Sequence, residues 1–419
     1  MRLGALPYAR EIVATRNASK TEDAEGRKRK PRRPRSRDND KSTTGCVTPA
    51  DLAQYMVMHI GTGTGAIRMD GFRSMLLKEA ARTSVGGTFE GFINREITIP
   101  QGTRGKASRS QNALRGHLND EHTNDPTFPR ILSDADADFL GGSFARHTKT
   151  WPLDDIDIYL PIDGAGLVYT SYGNKLPYTV LTDDAEQSNP LLSDRARWMD
   201  GNNISSQKLI AGFAEVLRDH YPTTTRVRRA GEAVAVTLSN DMGFDVVPCF
   251  ALTHVYGTEY PFYLIPDGND RWIRTNPKLD TEVSSNLHAA NNKTHRRAVK
   301  LVKWWNENRF GGFFDSYYIE LAIMRDTANR NRSGLFDTSV SAATAAAFAA
   351  LSAAAAAGNL ASWITQAPSV EAPSLTVAQR LILSLAQSNA ANALAWEQNG
   401  SPTKAIESWA SVFGDTFTN

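Results

Sequence analysis

The chain has 419 residues, of which 41% are hydrophobic and 22% charged, with two cysteines and a formal net charge of +2. That length supports two or three domains with cores of their own, and the ordinary composition excludes a fibrous or wholly disordered chain. Cys46 in an expected tail and Cys249 in an expected core strand give no disulfide framework and point to a reducing cytoplasm. No secretory leader or membrane span is read, because the alanine-rich stretch from Ala342 to Ala357 is too short and too weakly apolar for a bilayer.

The small net charge conceals a split. Residues 1–40 hold 12 Lys or Arg against 6 Asp or Glu, a charge of +6, which leaves −4 for the remainder. Within them, Arg27 to Arg37 is almost continuously basic and broken by Pro31 and Pro34, so residues 1–47 read as a disordered basic arm. A solvated tail explains it, and a nucleic-acid contact is the functional alternative.

In chain order, Gly61-Thr-Gly-Thr-Gly-Ala66 fits a loose dinucleotide-binding pattern, yet no βαβ series follows it, so a glycine loop between helices is the better reading. Leu114 and Leu118 give Ser108 to Glu121 the spacing of a helix. Asp134, Asp136 and Asp138 follow Ser133, where a capped helix start accounts for the acids.

Next come Phe139-Leu-Gly-Gly-Ser-Phe-Ala-Arg146 and, twelve residues after Ser143, the strand-like run from Asp155 to Leu160. A period of two puts Asp155, Asp157 and Tyr159 on one face and Ile156, Ile158 and Leu160 on the other. Adjacent carboxylates repel unless a cation lies between them, and a hard divalent ion takes carboxylate and phosphate oxygens together. The glycines let backbone N–H groups approach phosphate oxygens, with the Ser143 hydroxyl as a further donor.

Ser205 to His220 has helical period. Thr225 to Leu238 and Gly243 to Ala251 alternate as two strands joined at Ser239 to Met242, a hairpin. Asp245 stands in the second strand among Phe244, Val246, Val247 and Cys249. A carboxylate in a buried run needs a partner, and a metal shared with Asp155 and Asp157 is the functional candidate. Lys293 to Glu307 and Asp315 to Ala322 read as helices carrying Lys300, Lys303, Ser316 and Tyr317, cations and an aromatic suited to a triphosphate and a base. The alanine-rich remainder, Ala342 to Ala361, Thr376 to Glu397 and Ser401 to Phe413, reads as helical scaffold.

Gly141-Gly142-Ser143, Asp155-x-Asp157 and Asp245 in Phe-Asp-Val-Val-Pro together resemble the polymerase-β-like nucleotidyltransferases. Leu-Gly-Gly-Ser-Phe-Ala-Arg, Asp-Asp-Ile-Asp-Ile, Lys300-Leu-Val-Lys303-Trp, Ser316-Tyr317 and Trp409 to Gly414 are similar to one branch, the bacterial cGAS/DncV-like nucleotidyltransferases (CD-NTases), over most of the chain after residue 95. The resemblance implies an α+β fold: a catalytic lobe over residues 48–290, with a mixed β-sheet and a spine helix, packed against a helical lobe over 291–419. It implies a Mg²⁺-dependent enzyme that joins ATP, with GTP as a second candidate, into a small cyclic oligonucleotide second messenger and releases pyrophosphate, in anti-phage signalling. Two Mg²⁺ ions, with Mn²⁺ as substitute, would be held by Asp155, Asp157 and Asp245. Gly142, Ser143, Lys300, Lys303 and Ser316 would bind the triphosphate, and Tyr317 would stack on a base. A downstream effector that senses the product and a regulatory partner protein belong to the same expectation. Two other readings stay open on the residues alone: a transferase that tails RNA or modifies a protein or small molecule, and a non-catalytic nucleic-acid-binding protein.

Overall fold

The computed structural model describes residues 10–14, 84–132, 139–172, 178–182, 189–222, 226–239, 241–252, 262–363 and 368–418. The basic run 27–37, the glycine loop 61–66 and the acids of 134–138 lie outside the described residues. Inside the basic arm, Arg10–Ala14 forms a strand, β1, so the expectation of disorder does not hold for that segment. Its β-branched Ile12 and Val13 suit a strand.

Ser84 caps the first described helix, accepting from Gly87 N–H at 3.0 Å. That helix is α1 (Val85–Phe92), continued by a wider turn at Ile93–Ile97. The spine helix α2 (Gln101–Asn124) is longer at both ends than its apolar spacing suggests, and buries Ala107, Leu114 and Leu118. β2 (Phe139–Leu140), the four-residue helix α3 (Gly142–Ala145) and β3 (Ile156–Pro161) follow. Then come β4 (Leu167–Tyr172), β5 (Tyr178–Thr182), the single turns α4 (Pro190–Ser193) and α5 (Arg195–Trp198), and the short pair β6 (Met199–Asp200) and β7 (Asn203–Ile204). Ser205 caps α6 (Ser206–His220) through Lys208 N–H, as its sequence position suggests.

The run expected as one strand from Thr225 to Leu238 is two, β8 (Arg226–Ala230) and β9 (Ala233–Thr237). Gly231, at φ +59°, makes the turn between them, a conformation open to glycine and strained for other residues. β10 (Gly243–Ala251), β11 (Tyr263–Pro266) and β12 (Trp272–Thr275) complete the sheet. Among the described residues six α-helices follow: α7 (Pro277–Ala290), α8 (His295–Asn308), α9 (Ser316–Arg332), α10 (Val340–Ala357), α11 (Val377–Gln398) and α12 (Pro402–Phe413).

The long sheet runs β1-β4-β5-β12-β11-β10-β3-β2 and is mixed in direction. β10 pairs in parallel with β3 over Phe244 to Cys249; on its other edge it pairs antiparallel with β9 at its start and with β11 at its end. The parallel register sets Asp245 directly beside Asp157.

Ile156, Ile158 and Leu160 enter a core shared with Leu114 and Leu118 of α2 and Leu209, Phe213 and Leu217 of α6. Tyr159 faces the other way, into a smaller cluster with Val247, Cys249 and Tyr263, as a period of two requires. A separate core joins α8 to α12, and Phe89, Phe92 and Ile97 contribute to it. Helix α1 and the turn that follows it thus pack with the helical lobe. Among the described residues α10 is long and apolar enough to cross a membrane by length and composition alone, with mean hydropathy 1.7. It lends Ala343, Ala347, Phe348 and Leu351 to the helical core.

Gly243 starts β10 where no side chain fits: a Cβ there would lie 1.8 Å from the backbone oxygen of Asp154. Gly243→Ala is therefore expected to lower stability by about 1–3 kcal/mol, since Gly243 is held in its ladder with β9 and Asp154 lies directly ahead of β3. Urea denaturation measures it, and an unchanged midpoint would show that the Asp154 segment moves freely.

Candidate active site

Gly141 N–H donates to the Asp157 carbonyl at 3.0 Å, which ties the glycine turn to β3. Gly142 takes φ +59°, and a Cβ on it would sit 1.6 Å from Asp157 Oδ2, so the turn lies directly against that carboxylate. Ser143 is buried next to it, and its carbonyl accepts from Thr148 N–H at 2.9 Å and Lys149 N–H at 3.0 Å, folding the following segment back. Two separate stretches of sequence, the turn and the carboxylate strand, thereby become one surface.

Asp157 and Asp245 stand side by side on neighbouring strands, and neither forms an ion pair among the described residues. Burial, then the charge of Asp245, pushes the Asp157 carboxyl up to about 6. Burial also pushes Asp245 up, with Arg228 opposing. Two carboxyls held above their ordinary range by desolvation and, at Asp157, by a neighbouring acid are a pair that a cation would relieve.

Asp155 is placed differently. It precedes β3, its side chain is 52% exposed, and it forms an ion pair with Lys149, whose Nζ also donates to Asp154 Oδ1 at 2.6 Å. Among the described residues no three His, Cys, Asp or Glu side chains form a ready metal centre. The donor chemistry of Asp157 and Asp245, oxygen-only and short of positive charge, fits a hard divalent ion. Asp155 would have to exchange Lys149 for the metal to join such a set.

The expected nucleotide contacts divide. Lys303 is 4% exposed and committed to Glu320, donating to Oε1 at 2.9 Å. Glu320 also accepts from Arg146 Nε at 2.7 Å and Thr148 Oγ1 at 2.7 Å, so one carboxylate gathers the loop after the glycine turn onto α8 and α9. Burial would raise the Glu320 carboxyl, but Arg146 and then Lys303 hold it well below the ordinary range. Ser316 is exposed at the first position of α9. Tyr317 donates from its hydroxyl to Asp280 Oδ2 at 2.8 Å, and the Arg146 guanidinium lies over its ring at 5.3 Å. One ring face is thus already taken by a cation. Tyr318 is buried and donates its hydroxyl to the Gly358 carbonyl at 2.9 Å. Lys300 has no ion-pair partner among the described residues and lines a crevice with Arg104, His147 and Lys149.

Glu320, Arg146, Thr148, Asp280 and Lys149 were not expected from the sequence. Asp280 carried one local signal: Asn276-Pro277 marks a helix start, and α7 sets Asp280 in its first turn. Glu320 carried none, because nothing in a helical pattern distinguishes a buried glutamate from a solvated one.

No protein-family model matches the chain. Solved structures of CdnC from E. coli MS115-1, one with ATP and one a CdnC:HORMA-deltaN complex, match the fold with TM-score 0.51 at 16% and 18% identity, over 79% of this chain and 98% of theirs. A curated relative, a probable cyclic nucleotide synthase of Bacillus cereus (strain VD146), is 30% identical over 246 residues, 58% of this chain and 70% of its own length. Its matching length, the shared fold and the turn-and-carboxylate surface agree: the chain belongs to the bacterial CD-NTases and is a nucleotidyltransferase of the cyclic nucleotide synthase type.

Proposed function

We propose that the enzyme joins ATP, with GTP as a second substrate, into a small cyclic oligonucleotide, and that the chemistry takes place at Asp157 and Asp245 beside the Gly142-Ser143 turn. The observation that carries this reading is the register of those two acids against the turn, a surface that pairs carboxylates with a phosphate-accepting backbone. The solved CdnC structure with ATP supports a nucleoside triphosphate as substrate.

In this reading Gly142 and Ser143 hold the triphosphate and orient its α-phosphorus. Asp155, Asp157 and Asp245 would hold two Mg²⁺ ions, with Mn²⁺ as substitute, which when bound polarise the attacking ribose hydroxyl and offset the charge on the leaving pyrophosphate. Asp245, on the strand next to that of Asp157, would receive the hydroxyl proton. Glu320 fixes the loop through Arg146 and Thr148, and the buried Arg146–Tyr317–Asp280 contact secures it from α7. A short linear intermediate kept in the cleft presents its free hydroxyl to its own triphosphate, and holding both ends gives closure a large proximity advantage.

The product then acts on a downstream effector in an anti-phage response in the cytoplasm, and the CdnC:HORMA-deltaN complex supports a regulatory protein partner for this chain as well. Incubation with labelled ATP and GTP, followed by alkaline phosphatase and chromatography, tests the reading. Label should remain in a phosphatase-resistant species, because ring closure leaves no terminal phosphate. Complete conversion to free phosphate and nucleosides, or an open-ended ladder of lengths, would move the enzyme to RNA tailing or to modification of a protein or small molecule.

A further inference from the structure

A crevice opens between the start of α2, the loop after the glycine turn, and α8, lined by Ile99, Arg104, Phe144, His147, Lys149 and Lys300. Four of its six lining residues carry nitrogen groups able to hold a positive charge, and among the described residues the carboxylates bonded to them are Asp154 and Asp155, both on Lys149. Lys300 and Arg104 form no ion pair among the described residues. The cations nearby do not relieve them: Arg296 donates to Ser285 Oγ at 2.7 Å, and Arg297 is paired with Glu90.

Lys300 is half-buried, and burial followed by the charges of Arg104, Lys303, Arg296 and Arg297 pushes its ammonium down to about 8. His147 is pushed down by burial and then by Arg296, Arg104 and Lys300. Like charges gathered in a concave site without counter-ions are unfavourable as they stand, and a multiply charged anion reverses the sign of each interaction. Phosphate oxygens suit this set, since lysine gives a point charge, arginine a fork, and histidine a ring donor.

We propose that the crevice is a phosphate-binding site formed by Arg104, His147 and Lys300, with Lys149 connecting it to the acids of the catalytic surface. The phosphate comes from one of two sources: the triphosphate of the reacting nucleotide extended past the glycine turn, or a separate small polyphosphate. Binding is read without turnover, so the site stands or falls independently of the cyclic product.

Isothermal titration with inorganic tripolyphosphate, without divalent metal, tests the site on the full chain. Wild type and Asp157→Asn should bind it one to one, while Lys300→Met combined with Arg104→Met should weaken binding by about tenfold or more, as loss of charged hydrogen bonds predicts. Thermal melts of each variant verify folding; the double variant should melt at or above wild type, because like charges have been removed. Absence of binding to wild type, or a double variant within about twofold of it, would overturn the assignment. A second titration with a non-hydrolysable ATP analogue, in the presence of tripolyphosphate, separates the sources. Competition assigns the crevice to the nucleotide's own phosphates, and independent binding of both assigns it to a separate ligand.

Discussion

Glu320→Ala is expected to destabilise the protein by about 3–5 kcal/mol, the usual cost of leaving a buried charge without its partner. Glu320 is 1% exposed and holds Arg146 and Lys303, which are themselves 5% and 4% exposed, so its loss strands two buried cations at once. Lys303 then also loses its partner carboxylate while the repulsion with Lys149 and Lys300 remains. Urea denaturation is the direct measure, and a loss below about 1 kcal/mol would mean that the cations relax to solvent. The acid side follows by sign. The Glu320 carboxyl is depressed in the fold, so its stabilising contribution is full above the ordinary glutamate value of 4.5 and drains away as pH falls below it. Nucleotidyl transfer should fall with stability, because Arg146 and Thr148 position the loop that follows Ser143.

Asp157→Asn and Asp245→Asn are each expected to reduce nucleotidyl transfer by about a thousandfold or more while the melting temperature holds or rises. The stability half rests on geometry: two adjoining carboxyls repel in the metal-free protein, and an amide removes one of the charges. Here the sign is opposite to that of Glu320. The Asp157 carboxyl is raised from 3.8 to about 6, so ionising it opposes folding, and metal-free stability should decline as pH rises through that interval. Asp157→Asn should flatten the decline. Thermal melts between pH 4 and 7, with a turnover assay alongside, check both halves; a variant with near wild-type turnover would remove that acid from the site.

How far the chain was legible depended on whether the signal was local. The alternation from Asp155 to Leu160 was readable because strand faces follow from period two, and the cores on either side of β3 obey it. The helical period from Ser205 to His220 and the helix from Ser401 to Phe413 lie in the sequence as well as in the fold. The turn at Gly231 has no mark in the sequence pattern, because the apolar alternation continues past it and the left-handed backbone shows only in the fold. The difference between Lys303 and Lys300 was beyond any pattern. They lie three residues apart on α8, yet one is sealed against a glutamate 17 residues away and the other lines an open crevice. The adjacency of Asp157 and Asp245 required the parallel pairing of β3 with β10, across 88 positions of sequence, which a list of motif residues suggests but does not build.

Mass spectrometry of the products from a mixture of all four nucleoside triphosphates, run on wild type and Asp157→Asn in parallel, tests the central claim most directly. Wild type should yield a discrete purine-rich species whose mass is that of its nucleotide units with every terminal phosphate absent, and Asp157→Asn should yield none of it. Linear products that keep a 5′-triphosphate, or the same cyclic species from Asp157→Asn, would contradict the account.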